Sequence, residues 1–300
     1  MAGQLKEVRN RIKSVQSTQQ ITKAMKMVSA AKLRRAQESI IQMRPYAKKL
    51  QEMLSNIVSN SEGGSSMSLA NERPVEKVLM IVITSDRGLC GAFNANLIKL
   101  TKATIAEKYA DQHKKGNVTI WNIGKKGYEH FAKNKFKAEA TYKDIFLNLT
   151  FENVQQASQA AMKAFEERHF DAVEVVYSQF KNAATQKFEV ERFLPIPKVD
   201  NLPACRQGKQ GAIKADFIYD PNKELLVAEL MPKILNTQLY KAVLDSNASE
   251  HGARMTAMDK ASENANEMLR SLKISYNRAR QAAITTELTE IVSGAAALQG

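Results

Sequence analysis

Two long stretches, one at each end of the sequence, place apolar or small residues at alternating steps of three and four positions. In the C-terminal stretch, 220–300, this spacing runs from Leu230 to Ala283, and the same spacing recurs in the N-terminal stretch, 1–60. It draws a narrow apolar stripe along an α-helix and is typical of a coiled coil. We therefore predict two long helices that pack against each other. Because the C-terminal helix is the longer one, its end should protrude alone.

The N-terminal stripe is interrupted in its middle. Four positions of its register are polar, and apolar residues stand at neighbouring positions instead. The polar residues are Gln19, Thr22, Lys26 and Ser29, and the apolar ones are Ile21, Met25 and Val28. This predicts that the apolar stripe drifts around the helix, as the 3.6-residue period of an unbent helix would make it do. Farther along, Pro45 should kink the helix without ending it, because the stripe resumes at once.

The middle of the chain, 75–219, has a different pattern. Continuous apolar runs rich in β-branched residues alternate with segments typical of helices. The predicted strands are 78–84, 118–122, 172–177, 187–193 and 215–219, and the predicted helices are about 95–109, 124–133 and 151–168. This alternation predicts an α/β domain with a mainly parallel sheet. The expected fold is therefore α/β, with a domain inserted between two terminal helices that form a long antiparallel coiled coil.

Charge is unevenly distributed along the chain. The net charge is +13, and residues 1–60 contribute +9 of it, from 12 Lys or Arg and 3 Asp or Glu. A basic helix either has a solvated face or meets an acidic partner such as nucleic acid, anionic lipid or acidic protein. No apolar run approaches the roughly 18 residues of a membrane span. The N-terminus also lacks the apolar core of a signal peptide, so the chain should stay in the compartment where it is made.

The residues that carry chemistry elsewhere form no constellation in this sequence. The loop 86–91 follows a strand and precedes a helix, where phosphate-binding loops lie, but it matches neither the dinucleotide nor the P-loop pattern. We interpret it as a tight strand-to-helix turn and Cys90 as a buried thiol. The histidines lack metal-ligand spacing, and Glu287 with Glu290 is typical of solvated charge. We therefore predict no catalytic residue, cofactor or metal.

The C-terminal end combines polar and apolar residues in an unusual way. Polar residues surround the helix below its last turns, and the last turns themselves are mostly apolar and small. The polar residues are Arg278, Arg280, Gln281, Thr285, Thr286 and Glu287, and the apolar end is 291–298. An apolar helix end indicates that a partner surrounds it.

At this point the sequence resembles a known family, the gamma subunits of F-type ATP synthases, from end to end. The segments that carry the resemblance are 21–28, 84–91 and above all 279–295. The resemblance implies an antiparallel coiled coil with an inserted Rossmann-like domain. It also implies a non-catalytic rotor shaft that couples proton flow through a membrane ring to ATP synthesis at the alpha and beta subunits.

The resemblance further implies partners and contact residues. The coiled coil would stand inside a ring of three alpha and three beta subunits, with its foot on an epsilon subunit and the membrane c-ring. Residues expected to contact the beta catch loops are Arg280, Gln281, Thr285 and Glu287, and those expected to face the acidic lever region of beta are Met25, Lys26 and Met27. The expected location is peripheral, at the cytoplasmic face of the bacterial inner membrane. The segment 194–212 is short and holds only Cys205, so the thiol regulation of chloroplast members is not expected.

Two other functions are compatible with parts of the sequence. The basic N-terminal helix suits a nucleic-acid-binding coiled coil, although it lacks interleaved aromatic residues for base stacking. Steeply salt-dependent binding of DNA or RNA would favour that function. The middle domain suits a nucleotide-using enzyme, although it lacks a phosphate-binding motif. ATP turnover by the isolated chain would favour that second function.

Overall fold

The computed structural model describes residues 2–59, 69, 73–183, 185–196 and 223–299. In chain order its elements are α1 (Ala2–Ser59), β1 (Val78–Ile83), α2 (Phe93–Lys108), α3 (Ala110–Lys114), β2 (Val118–Ile123), α4 (Lys125–Lys133), β3 (Lys137–Glu139), a 3₁₀ helix (Ile145–Leu147), α5 (Phe151–Glu166), β4 (Ala172–Phe180), β5 (Gln186–Leu194) and α6 (Lys223–Gln299). The predicted strand 215–219 and Cys205 lie outside the described residues. None of the described helices combines the length and apolar character that crossing a membrane requires.

Contacts between residues divide the chain into two units. The helix-pair unit comprises Met1–Ala30 and Arg254–Gly300, and the α/β unit comprises Ala31–Ala253. The helices α1 and α6 therefore each contribute to both units. Pro45 lies inside α1, which continues past it as predicted. The domains predicted from the sequence, 1–60, 75–219 and 220–300, separate the two long helices from the sheet and so differ from these units. They remain a prediction.

The α/β unit contains one five-stranded sheet in the order β3-β2-β1-β4-β5. Strands β3, β2, β1 and β4 are parallel, and β5 pairs with β4 in the antiparallel sense. The predicted, mainly parallel sheet is thus confirmed. The sequence prediction missed β3, because this edge strand has only the three residues Lys-Ala-Glu and no apolar run.

Helices cover both faces of this sheet. Alternate residues of β1 point to opposite sides: Leu79 and Ile81 pack in one apolar cluster, whereas Val78 and Met80 pack in the other. The first cluster is completed by α5 and by residues 231–243 of α6, and the second by α2 and α4. Because β1 is buried on both faces, its sequence is continuously apolar instead of alternating.

Two glycines let the start of α4 approach the end of β1. Gly124 has φ +104°, which L side chains rarely adopt, and a Cβ there would lie 2.1 Å from the carbonyl oxygen of Thr84. A Cβ on Gly127 would lie 2.7 Å from Thr84 Oγ1. The glycines at the beginning of this helix are therefore required by close backbone packing.

Replacing Gly124 by alanine should destabilise the α/β unit strongly. Backbone strain and the clash with Thr84 together should lower the free energy of unfolding of Gly124→Ala by about 3 kcal/mol or more. Urea unfolding followed by circular dichroism measures this. Gly88→Ala is the matched control, since no atom lies within 4 Å of a Cβ built there; its stability should change by about 0.5 kcal/mol at most. Equal effects of the two substitutions would contradict this account of the turn.

Candidate partner-contact surfaces

Four side-chain contacts between described residues join α1 to α6 within the helix-pair unit. Arg9 Nη2 donates to Tyr276 Oη (2.9 Å), Gln19 donates to Asn266, the hydroxyls of Thr22 and Ser262 lie 2.7 Å apart, and Lys26 pairs with Asp259. From the first contact to the last, the position on α1 rises by seventeen residues while the position on α6 falls by seventeen. The two helices are therefore antiparallel, as the sequence predicted, and keep one register throughout.

The predicted drift of the apolar stripe on α1 is wrong. Thr22 and Ser29 are buried, with 8% and 3% of their surface exposed, and they keep the seam position that the register gives them. Ile21 and Val28, predicted to replace them, are 56% and 57% exposed. Both hydroxyls have partners there: Thr22 contacts Ser262 of α6 at the same level, and Ser29 donates to the carbonyl of Met25, one turn earlier in α1. Buried polar groups with partners are tolerated, and they fix the register of a coiled coil.

One consequence is an exposed apolar surface on α1, formed in part by residues that were predicted to face α6. Ile21 and Val28 are two turns apart on the same face, and Met27, about 100° around the helix from Val28, is 72% exposed. At about 100° per residue, Ile21 and Val28 lie more than 90° around the helix from Thr22. This outer surface has the character of a partner contact, since apolar side chains lie exposed together.

The end of α6 carries a second exposed apolar surface. Continuing the antiparallel register places Leu5 level with Arg280, so residues beyond about 284 extend past the start of α1. Ile284, Leu288, Ile291 and Val292 are all exposed, between 48% and 67%. Their spacing puts them in one stripe, which we call the tip stripe. At about 100° per residue it lies roughly 140° around α6 from the seam that faces α1.

The structure gives the seven expected contact residues different exposures. Arg280, Gln281, Thr285 and Glu287 are exposed and border the tip stripe. Met27 is exposed, whereas Met25 is only half-buried and Lys26 is half-buried and paired with Asp259. The ammonium group of Lys26 thus already has a carboxylate partner within the chain.

These residues form two separate zones. The register places Met25 level with about residue 260 of α6, some twenty residues before Arg280. At about 1.5 Å per residue the zones lie about 30 Å apart. The exposed apolar residues Ile21, Val28, Ile284 and Leu288 were not among the expected contacts. Only their exposure in the folded helix pair identifies them.

In the α/β unit, the crevice where sheets of this type bind ligands is filled by the chain itself. The strand order reverses between β1 and β4, and ligands of doubly wound sheets bind at the carboxyl ends of the strands at such a point. Helix α6 occupies it: Ser246 Oγ donates to the carbonyl of Ile83 (3.4 Å) and Ser249 Oγ donates to that of Ser178 (3.2 Å). This part of α6 thus takes the place of a bound nucleotide.

The first amides of α4, which would otherwise suit a phosphate, are likewise hydrogen-bonded. The amides of residues 125, 126 and 127 donate to Asp86 Oδ1 (3.2 Å), the Ser85 carbonyl (3.1 Å) and Thr84 Oγ1 (2.9 Å). Burial raises the pKa of the Asp86 carboxyl, while the amide of Lys125 opposes that rise. The loop 86–91, which follows β1, is thus a tight strand-to-helix turn, as the sequence predicted.

The thiol of Cys90 belongs to the same loop. It is 1% exposed, and Asn94 Nδ2 lies 3.3 Å from its sulfur. The prediction of a buried thiol is therefore confirmed. Asn94 Oδ1 also accepts a hydrogen bond from the Ser85 amide (3.0 Å). The Asn94 side chain therefore contacts residues on both sides of the turn.

Comparison with known proteins gives one consistent answer. A family model described as ATP synthase matches residues 4–298. The ATP synthase gamma chain of Cytophaga hutchinsonii is 54% identical over 294 residues, covering 98% of this chain and 98% of that protein. That of Flavobacterium johnsoniae is 50% identical over 296 residues, covering 99% of each.

Solved structures share the fold. A chain of the Euglena gracilis mitochondrial ATP synthase, in a structure of OSCP, F1 and c-ring, matches with a TM-score of 0.65 and 19% identity, over 99% of this chain and 95% of its own length. A chain of the central stalk and c-ring of the Tetrahymena thermophila mitochondrial ATP synthase matches with a TM-score of 0.55 and 20% identity, over 81% of this chain and 99% of its own length.

The buried contact between Thr22 and Ser262 should appear as a coupling energy. Thr22→Val alone should lower the free energy of unfolding by about 1 kcal/mol, because Ser262 loses a partner. Adding Ser262→Ala should recover part of this loss, giving a coupling of about 0.5 kcal/mol or more in a double-mutant cycle measured by urea unfolding. The control pair, Thr18→Val with Ser271→Ala, is exposed and should be additive. Additivity at the buried pair as well would contradict the register.

Proposed function

This chain belongs to the family of ATP synthase gamma chains, and from that premise we propose that it is the central rotor shaft of a rotary ATP synthase. In this role it couples ion flow through a membrane ring to ATP synthesis on other subunits and performs no catalysis itself. The observation that carries the proposal is the one-sided end of α6, where the exposed tip stripe faces away from the seam.

A one-sided shaft can transmit rotation to surrounding sites. Around the end of α6, one face presents Ile284, Leu288 and Ile291, and other directions present polar side chains. Several identical partners around such a helix would each meet a different surface at any instant. A contact changes a partner's conformation only through its differential affinity for the partner's states. Rotation of the asymmetric end would therefore favour a different state in each partner in turn.

The zone around Met25, Lys26 and Met27 gives a second contact with the same partners. We propose that it meets the acidic lever region of beta, and that Ile21 and Val28 extend the surface. Because Lys26 is paired with Asp259, an acidic partner must compete with that carboxylate for the ammonium. Both side chains are nearly half exposed, so this ion pair is weak enough to exchange.

The proposed partners follow from the same role. They are three alpha and three beta subunits around the helix pair, with an epsilon subunit and the c-ring at the foot. The proposed location is the cytoplasmic face of the bacterial inner membrane. The solved structure of the central stalk and c-ring of the Tetrahymena thermophila mitochondrial ATP synthase supports the association with a c-ring.

The structure gives no support to the two other functions considered. A nucleotide-using enzyme would need the crevice between β1 and β4, where Ser246 and Ser249 bond the strand carbonyls. A nucleic-acid-binding α1 would need aromatic side chains for stacking. Among the large exposed apolar side chains in the part of α1 that the structure describes, Ile21, Met27, Val28 and Ile41 are not aromatic, and Tyr46 is the single aromatic one.

Removing two polar groups beside the tip stripe should slow the assembled motor. The purified chain would be mixed with the alpha and beta subunits of the same organism, and ATP hydrolysis assayed. Arg280→Ala combined with Gln281→Ala should lower turnover roughly tenfold, equivalent to about 1.4 kcal/mol of lost contact energy. The control, Lys273→Ala with Asn277→Ala, removes similar groups from exposed positions nearer the paired part of α6 and should keep most activity. Failure of the unmodified chain to assemble would overturn the proposed function.

Charging the tip stripe tests the apolar contact separately. Ile284→Glu with Leu288→Glu should weaken assembly with alpha and beta, because burying the new carboxylates in an apolar contact is unfavourable. The isolated chain should unfold within about 0.5 kcal/mol of the unmodified one, since both positions are exposed. Analytical ultracentrifugation measures assembly. Ser271→Glu with Asn277→Glu adds the same charge at exposed positions two or more turns before the stripe, and equal assembly by both double variants would argue against the stripe as a contact.

A further inference from the structure

One stretch of the α/β unit contains lysine but no arginine. Twelve lysines and no arginine lie between Arg87 and Arg168, although the whole chain has fourteen arginines. Arginine is preferred where carboxylate or phosphate is recognised in a fixed, bidentate geometry, whereas lysine acts as a mobile point charge. A surface built from lysine alone therefore favours diffuse attraction to negative charge over a geometrically specific contact.

Four of these lysines surround one edge of the sheet, and we call them the lysine patch: Lys102, Lys115, Lys133 and Lys135. The Lys102 ammonium lies 5.9 Å from the centroid of the Phe136 ring, and the His113 ring stacks on that ring at 5.1 Å. Lys135 directly precedes Phe136, Lys133 is the last residue of α4, and Lys115 follows α3.

The lysine patch lies at the amino ends of the parallel strands. Val78, the first residue of β1, donates its amide to the carbonyl of Asn117, which directly precedes β2. Strand β3, which follows Phe136, begins beside Thr119 near the start of β2. Ser246 and Ser249 of α6 lie at the opposite, carboxyl edge of the same sheet. The lysine patch therefore occupies the edge that α6 leaves uncovered as it crosses the strand ends.

The positive charge of the patch is not neutralised by the part of the chain that the structure describes. None of the four lysines has a carboxylate within ion-pair distance among the described residues, whereas their neighbours Lys114 and Lys126 pair with Asp111 and Glu129. Three of the four are exposed, and Lys102 is half-buried. The patch thus offers four positive charges that no carboxylate of the described residues neutralises.

We propose that the lysine patch attracts the α/β unit to an anionic lipid surface. Polybasic surfaces bind anionic bilayers through diffuse attraction, with roughly a fivefold gain in affinity for each lysine near the surface. Such attraction needs no defined geometry, so it imposes no preferred angle on a subunit that turns above the bilayer. This last point, and the nearness of a membrane, rest on the proposed function.

The chemistry of the patch favours lipid over other polyanions. Single-stranded nucleic acid would be expected to stack on exposed aromatic rings, but Phe136 is half-buried beneath His113. A specific acidic protein surface would be expected to use arginine forks, and the stretch has none.

The test uses the full chain and vesicles of defined composition. Co-sedimentation would compare vesicles of pure phosphatidylcholine with vesicles that contain 30% phosphatidylglycerol, at low and at physiological salt. We expect binding only to the anionic vesicles, and weaker binding as salt rises. The variant K102Q/K115Q/K133Q/K135Q should lose at least a hundredfold in affinity. Circular dichroism would confirm that this variant keeps its fold.

A matched control changes the same number of charges on α1. The variant K6Q/K13Q/K23Q/K32Q has the same net charge as the patch variant, but it should bind the anionic vesicles within about threefold of the unmodified chain. Equal losses by the two variants would mean that net charge, and not this patch, is responsible. That outcome would overturn the proposal. Equal binding to neutral and anionic vesicles would also overturn it, and so would tighter binding to single-stranded RNA than to the anionic vesicles.

Assembly with the alpha and beta subunits separates this proposal from the proposed function. The patch variant should form the complex and hydrolyse ATP at the unmodified rate, because no alpha or beta contact is proposed at that edge. A chain that assembles but ignores anionic vesicles overturns the lipid contact alone. A chain that binds the vesicles but never assembles overturns the proposed function alone.

Discussion

The antiparallel register of α1 and α6 is the constraint on which the helix-pair unit depends. Hydroxyl, amide and charged groups meet across the seam at matching levels, and a shift of one helix by a single residue would separate all of them. Apolar side chains alone would tolerate such a shift more easily, because dispersion contacts lack a fixed direction. A shaft under torque needs one register, and the contact between the hydroxyls of Thr22 and Ser262 supplies it in a buried position.

Using polar side chains inside the seam also determines the outer surface. With Thr22 and Ser29 inside, the apolar residues Ile21 and Val28 must lie outside, on the side that a partner can reach. At the other end of the unit, the tip stripe is exposed because α6 continues beyond the start of α1. Both surfaces are therefore consequences of how the two helices pair. Together they make the surface of the unit different on different sides of its long axis.

In the α/β unit, the same helix α6 fills the crevice in which sheets of this type bind ligands. Ser246 and Ser249 bond strand carbonyls at the point where related folds hold nucleotides, and residues 231–243 complete one apolar core. The first amides of α4 are bonded by the loop after β1, so that loop closes the second place where a phosphate would bind. What remains exposed is the opposite edge, with its unneutralised lysines.

The sequence by itself determined the kind of elements and their order. The three-four spacing predicted both long helices, the apolar runs predicted four of the five strands, and the segment 279–295 identified the family, because these signals are local. It did not determine which positions of α1 face inward. Polar residues at Thr22 and Ser29 argued for a drifting stripe, but in the folded helix pair Thr22 meets Ser262 of α6 and Ser29 bonds the carbonyl of Met25. The exposed surfaces, the filled crevice and the lysine patch likewise depend on residues far apart in the chain. Their burial and proximity exist only once tertiary contacts form, so no local pattern could specify them.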